Sequence, residues 1–276
     1  FAAWCEGKGV PALPASPEVV ALYLTAHGDT LSVGTLGRRL VAIGQALQAA
    51  GHEDATKAPA VKAVWKGIRR AKGVAPKGKA AVLIDELRRM VEALPEGLLG
   101  ARDRALLLVG FAGAFRRSEL VGINREDVSF TLEGAVVTLR RSKTDQEGEG
   151  RKVGIPRGRH ADTCPVRALT AWLEKAGISE GPVFRPVNRH GQVLPGRLSG
   201  NAVAEAVKRS ARAAGLDAAN YAGHSLRAGL ATSAAAAGVS ERSIMKQTGH
   251  RSTTMVRRYI RDGSLFRENA AASVGL

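Results

Sequence analysis

The sequence predicts a mainly α-helical protein with one small antiparallel β-sheet, organised as two domains. Three observations carry that expectation. Apolar residues recur at helical spacing through 17–70 and again beyond residue 82, and the period changes towards strands within 128–155. Between the helical regions, AKGVAPKGKA at 71–80 combines glycine, proline and lysine without a sustained pattern. A chain of 276 residues can bury a substantial core and divide into more than one domain.

The first region reads as three helices. PEVVALYL places Pro17 near a helix start. VGTLGRRLVAIGQALQAAG at 33–51 puts Leu36, Leu40, Ile43 and Leu47 on one stripe, with Gly51 as the stop. From Pro59 to Arg70, Val61, Val64, Trp65 and Ile68 are spaced to face a core. Together they predict a compact bundle with a basic side made of Arg38, Arg39, Lys62, Lys66, Arg69 and Arg70. The following stretch, with Lys77 and Lys79, reads as a surface loop or as a linker crossing a nucleic-acid backbone. The expected boundaries are 1–72, a linker at 73–80, and 81–276.

In the second region Val82–Leu94 and Arg102–Gly113 read as helices, the latter buried through Leu106, Leu107, Leu108 and Val109. Val128–Leu132, Ala135–Arg140 and Lys152–Ile155 read as short strands, with Glu133-Gly134 as a tight turn. TDQEGEG at 144–150 is polar enough to be a mobile hairpin tip. Helical patterns return at Pro165–Ala176, Ser199–Ala214, Leu226–Ala237 and Glu241–Thr248.

Composition narrows the chemistry. Lys and Arg number 41 against 25 Asp and Glu, a formal net charge of +16, which favours a phosphate-rich partner and salt-sensitive binding over an inert basic surface. Cys5 and Cys164 form no CxxC pair, which argues against a disulfide framework or a cysteine-rich zinc site and for a reducing compartment. LLLVGFAGAF at 106–115 is too short to span a membrane and runs into Arg116 and Arg117. No secretion leader is read at Phe1, and a start without Met leaves the native N-terminus open. Aromatics at 4% and no aromatic-rich sheet signature count against an RNA-binding module.

The chemistry-bearing residues are scattered but coherent. Tyr259, in MVRRYI, can attack phosphorus and retain the bond energy as an ester, so no high-energy cofactor is required. Alone it proves little, and an amphipathic core tyrosine is the stronger reading of an isolated tyrosine in that stretch. Arg116 in GAFRRSEL and Arg227 in HSLR offer guanidinium forks for non-bridging phosphate oxygens, each otherwise a surface or ion-pairing residue. His224, three residues before Arg227, can accept or position the tyrosine proton, and His250 can donate to a phosphate oxygen. A capped helix terminus and an ordinary turn histidine are the plainer reading of that pair. Lys143 can protonate a departing 5′ oxygen or can be a solvated hairpin lysine. Glu119 can orient an active-site group or form a simple ion pair beside Arg116. No metal site is suggested by ligand spacing.

In this order, GAFRRSEL, SKTDQ, HSLR, GH and YI resemble the tyrosine site-specific recombinase, or phage integrase, family. None of the six core catalytic positions is substituted, and Glu119 fits the supporting acidic position. Residues 1–72, with WC, PASPEVVALYL and VGTLGRRLVAIG, are similar to the core DNA-binding region of its Cre-like branch. The resemblance implies a two-domain C-shaped clamp on double-stranded DNA at specific recombination sites. It implies a 3′-phosphotyrosine at Tyr259, Lys143 assisting the 5′-hydroxyl, phosphate held by Arg116, Arg227 and His250, and proton transfer supported by His224. Exchange would pass through a four-way junction between protomers, a dimer on each site and a tetramer in synapsis. Residues 262–276, including Leu265 and Phe266, then read as a segment docking onto a neighbour, with an untethered tail or intramolecular packing as the alternatives. No cofactor, no metal, no membrane, and a cytoplasmic, nucleoid-associated protein encoded by a bacterium, phage or plasmid complete the expectation; accessory proteins are left open, the Cre-like coverage favouring a self-sufficient system. A type IB topoisomerase-like or telomere-resolving enzyme, and a catalytically silent DNA-binding protein, remain the alternatives.

Overall fold

The computed structural model describes residues 1–73, 78–140, 150–250 and 252–263 of the chain. It divides into two compact units, Phe1–Gly78 and Lys79–Leu276.

The first unit is a bundle of α1 (Ala2–Gly7), α2 (Pro17–Gly28), α3 (Val33–Ala49) and α4 (Pro59–Lys72). Serine caps set two of the starts, because a hydroxyl satisfies an amide that the first turn leaves without a partner. Ser16 accepts from the Val19 N–H ahead of α2, and Ser32 from the Thr35 N–H at 3.1 Å ahead of α3. The four positions expected to form the α3 stripe are all buried, packed with Val20, Tyr23, Leu24 and Val61. Val64, Trp65 and Ile68 of α4 close the same core from its margin. Lys72 donates to the carbonyls of Gly28, Asp29 and Leu31 at 2.5, 3.0 and 2.9 Å, tying the end of α4 to the end of α2. Helix α1, which sequence reasoning did not anticipate, seats Trp4 edge-on against Tyr23 at 5.4 Å between ring centroids.

The second unit holds α5 (Ile84–Glu92), α6 (Gly97–Ala112), α7 (Arg117–Gly122), β1 (Val128–Phe130), β2 (Gly134–Leu139), β3 (Arg151–Pro156), α8 (Pro165–Lys175), α9 (Gly200–Ala213), α10 (Ser225–Ala236), α11 (Glu241–Thr248) and α12 (Thr253–Gly263). The strands form one antiparallel sheet in the order β1-β2-β3, with Val137 paired to Val128 on one side and Val153 on the other. That register turns Val137 and Val153 into a core shared with α6 and α8, where Leu106, Leu107, Leu169 and Trp172 are buried.

Several boundaries differ from the sequence reading for identifiable reasons. Helix α5 starts at Ile84, not Val82: Leu83 is the extended N-cap, and its N–H donates to the Glu86 carboxylate at 2.8 Å. Helix α6 begins at Gly97, ahead of Arg102, whose charge hides a buried position: Arg102 pairs with Asp103 at 2.7 Å, and Asp103 also pairs with Arg209. The turn between β1 and β2 is centred on Leu132 and Glu133, with Gly134 already opposite Thr131 and donating to its hydroxyl at 3.1 Å. TDQEGEG, apart from Gly150, lies outside the described residues. Among the described residues no helix is long and apolar enough to cross a membrane.

Candidate active site

The site is assembled from four chain segments. The first is the turn after α6. Gly113 leaves room for the Phe115 ring, since a Cβ there would lie 2.1 Å from a ring atom, and Ala114 adopts a left-handed φ of 48°. Left-handed backbone is costly for a residue with a Cβ. Here it accompanies a specific contact: the Ala114 carbonyl accepts from Arg227 Nη1 at 2.7 Å. The same turn delivers Arg116 to the N-terminus of α7. Glu119, one turn on, accepts from the Arg116 backbone N–H at 2.9 Å and from its guanidinium at 2.5 Å. The Glu119 side chain is 1% exposed and that of Arg116 20%, so the carboxylate is the more deeply buried partner. A guanidinium carries five donors, so one bond to Glu119 leaves capacity for an anion.

The second segment begins α10, bringing His224 to its N-cap and Arg227 to its first turn. Arg227 is 1% exposed, and burial, with the Arg116 charge next, lowers its pKa to about 10; it remains a cation at neutral pH. Desolvation of the imidazole, followed by the charges of Arg227, Arg116 and Arg117, holds His224 below the usual histidine range.

The third segment is the end of α11. Gly249 takes a left-handed φ of 68° and its N–H donates to the Met245 carbonyl at 2.7 Å, which ends the helix and turns His250 back towards α10. His250 Nε2 lies 3.1 Å from Arg227 Nη2, and Nδ1 lies 2.7 Å from Thr248 Oγ1. Burial first, then the surrounding Arg227, Arg116, His224 and Arg151, pushes His250 down to about 4, so the ring is neutral near pH 7.

The fourth segment is α12, also unanticipated from sequence. Val256 is fully buried and packs with Ala231, Ala235 and Ile244, while Arg257 pairs with Glu241 at 3.2 Å. These contacts fix the face of α12 that carries Tyr259. The Tyr259 hydroxyl reaches His224 Nε2 at 3.4 Å, and its ring lies 6.1 Å from that of His250. The fold thus brings Arg116, Glu119, His224, Arg227, His250 and Tyr259 into one cluster. Lys143 lies outside the described residues, as do Lys77, Leu265 and Phe266.

Two supports of this cluster escaped sequence reasoning. Arg151, the first residue of β3, donates to the Gln247 carbonyl at 3.2 Å and lies against Gly249, where a Cβ would sit 2.8 Å from its Cζ. Gln247 donates to the carbonyls of Ala112 and Gly154 at 2.7 and 3.0 Å, joining α11 to α6 and β3. None of these three bonds carries a local pattern; all link distant segments. Among the described residues, no three His, Cys, Asp or Glu side chains group to hold a metal ion.

The described basic candidates of the first unit, Arg38, Arg39, Lys62, Lys66, Arg69 and Arg70, are exposed. Lys62, Lys66, Arg69 and Arg70 follow the helical spacing of α4, and Arg38 and Arg39 lie on α3. Arg39 also donates to the Tyr23 hydroxyl at 2.6 Å. Lys79, in the second unit, is exposed but donates to the Ala219 carbonyl at 2.5 Å.

Comparison with known proteins gives the family of the chain. Residues 82–264 match the phage integrase family. An integrase/recombinase XerD homolog of Selenomonas ruminantium is 43% identical over 274 residues, covering 98% of this chain and 80% of that protein. The Cre recombinase of Escherichia phage P1 is 27% identical over 285 residues, covering 95% and 80%. The fold is similar to XerH site-specific recombinase bound to a palindromic difH substrate in a post-cleavage complex, with a TM-score of 0.69, 18% identity, and coverage of 94% and 72%. It is also similar to a lambda integrase dimer bound to a COC′ core site, with a TM-score of 0.63, 19% identity, and coverage of 92% and 66%. The clustered tyrosine, arginines and histidines therefore sit in a chain that belongs to the phage integrase family of tyrosine recombinases, enzymes that transfer DNA strands.

Proposed function

We propose that the chain recombines duplex DNA at specific sites through a covalent 3′-phosphotyrosine on Tyr259. The observation that carries this reading is the Tyr259 hydroxyl 3.4 Å from His224 Nε2, beside the guanidiniums of Arg116 and Arg227. In the first step the Tyr259 oxygen attacks the scissile phosphorus and its proton passes towards His224, held neutral by its surroundings and so able to accept it. Arg116 and Arg227 bind the non-bridging oxygens, where charge grows in the pentacoordinate transition state. The 3′ phosphate becomes an ester of Tyr259 and the 5′ oxygen leaves with a proton from Lys143. In the second step a 5′-hydroxyl of the partner duplex attacks that ester, Tyr259 departs and the strand is resealed. Bond energy is conserved in the ester, so the sequence of steps is reversible and needs no nucleotide hydrolysis. Two such exchanges pass through a four-way junction.

Residues 1–72 supply a DNA-binding domain through the basic faces of α3 and α4, and 81–276 the catalytic domain. Protomers act as a dimer on each site and a tetramer in synapsis, the chain beyond residue 262 docking on a neighbour. The test is capture of protein–DNA adducts on a denaturing gel from a library of nicked duplexes, followed by sequencing of the trapped DNA. Wild type yields an adduct enriched for one sequence and Tyr259→Phe yields none. An adduct that persists in Tyr259→Phe rejects Tyr259 as the sole nucleophile; a folded, DNA-binding wild type that forms none favours an accessory-dependent enzyme or a silent binder.

A further inference from the structure

The hydrogen-bond polarity around His250 is fixed by its neighbours. An arginine side chain can only donate. The 3.1 Å contact from Arg227 Nη2 therefore makes His250 Nε2 the acceptor. A neutral imidazole with an accepting Nε2 carries its proton on Nδ1, which donates to Thr248 Oγ1 at 2.7 Å. Thr248 in turn donates to the Ile244 carbonyl at 2.7 Å, one turn back along α11. Every member of the series Arg227, His250, Thr248, Ile244 has one consistent direction. Thr248 is itself fully buried, so no water competes for its hydroxyl.

We propose that Thr248 is a positioning residue that, by accepting from Nδ1–H, holds His250 in the tautomer that the Arg227 contact requires, so that the DNA-free site holds two of its phosphate-facing groups bonded to each other. In that state Nε2 offers a lone pair, which repels a phosphate oxygen. Entry of the phosphate breaks the Arg227–His250 bond, frees Nη2 for the anion, and requires His250 to gain a proton at Nε2 before it can donate. The charged and titratable groups that face the ring from the packed elements are Arg227 of α10, His224 at its N-cap, Tyr259 of α12, Arg116 at α7 and Arg151 of β3. The three arginines disfavour imidazolium in the empty site; a bound phosphate reverses that balance. Phosphate binding and proton uptake are then linked, with Thr248 keeping Nδ1 occupied so that the incoming proton goes to Nε2.

The test has two arms, and only the kinetic arm rests on the strand-transfer reading. In the first, full-length chain labelled with 15N-histidine is followed by two-bond 1H–15N correlation at neutral pH. Wild type and Thr248→Ser show His250 protonated on Nδ1, whereas Thr248→Val and Thr248→Ala shift the population towards Nε2–H. In the second, the rate of Tyr259–DNA adduct formation on the nicked-duplex library is measured against pH. Loss of the hydroxyl slows it about threefold to tenfold, the worth of one buried neutral hydrogen bond, and changes the profile, and Thr248→Ser restores both. Wild-type His250 found protonated on Nε2, or hydroxyl-free variants with unaltered tautomer and profile, overturns the proposal. The predicted tautomers with no adduct from any variant would instead sink the strand-transfer reading and leave the Thr248 assignment standing.

Discussion

Glu119 holds Arg116 at both ends, accepting from its backbone N–H and from its guanidinium with one almost fully buried carboxylate. Position and charge are therefore set by a single side chain. Glu119→Gln keeps the shape and one acceptor but removes the charge that orients the guanidinium. Adduct formation should fall about tenfold to a hundredfold with little loss of site binding, because phosphate grip elsewhere on the duplex is shared among many groups. Glu119→Ala, which also strips the α7 start of its acceptor, should cost about 3–5 kcal/mol of stability by thermal melting. Equal loss of binding and chemistry in Glu119→Gln would show general disruption instead.

Gly249 is held by two constraints, its left-handed φ of 68° and the Arg151 guanidinium 2.8 Å from where a Cβ would stand. Gly249→Ala should destabilise by about 1–3 kcal/mol. Part of that is the clash, so the same substitution in an Arg151→Ala background should cost at least about 0.5 kcal/mol less. A double-mutant cycle by chemical denaturation reads the difference; strict additivity would mean that the guanidinium yields freely.

Acid should weaken the fold through the two histidines. His224 and His250 both titrate below the unfolded value near 6.5, His250 at about 4. Between those limits the unfolded chain binds protons that the folded chain does not, so stability is full above the upper limit and falls as pH drops through the window. The ring of His250 is partly exposed, which reduces its share to on the order of 1–2 kcal/mol. Melting temperature followed from pH 7 to pH 4 should decline less steeply in His250→Gln than in wild type.

Salt dependence tests the basic face of α4. Replacing Lys62, Lys66 and Arg69 with alanine should weaken binding to every duplex alike and flatten log K against log salt by about 0.9 for each phosphate that the variant no longer neutralises. An unchanged slope would place the DNA backbone elsewhere on the unit.

What could be read from the sequence follows from range. The α3 stripe of Leu36, Leu40, Ile43 and Leu47 was legible because one helix face repeats locally, and all four residues are buried. The strand centres were legible for the same reason. Helix α12 was not read, although Met255, Val256, Tyr259 and Ile260 recur at helical spacing, because so short a stretch is stabilised by Ala231, Ala235 and Ile244 contributed by other helices. The residue types at Arg116, His224, Arg227, His250 and Tyr259 suggested chemistry, but their proximity depends on a left-handed Ala114 and a left-handed Gly249 that no periodicity reveals. Arg151 and Thr248 stayed hidden because their partners lie across the fold or in the direction of a proton, neither of which a motif records.

The hydrogen bonds from Ala80 to Asn220 and from Val82 to Ser225 lay the opening segment of the second unit alongside the turn that carries His224. Gly229 permits that approach, since a Cβ there would meet the Val82 carbonyl at 1.9 Å. These bonds span more than half the chain, and the Arg227–Ala114 bond reaches across 113 residues. Closures of such long loops come late in folding, after local helices and hairpins have formed. A nascent or half-folded chain therefore carries Tyr259 without its cationic surroundings. The capacity to break a strand arises only with the finished tertiary structure, so the fold itself serves as the safeguard.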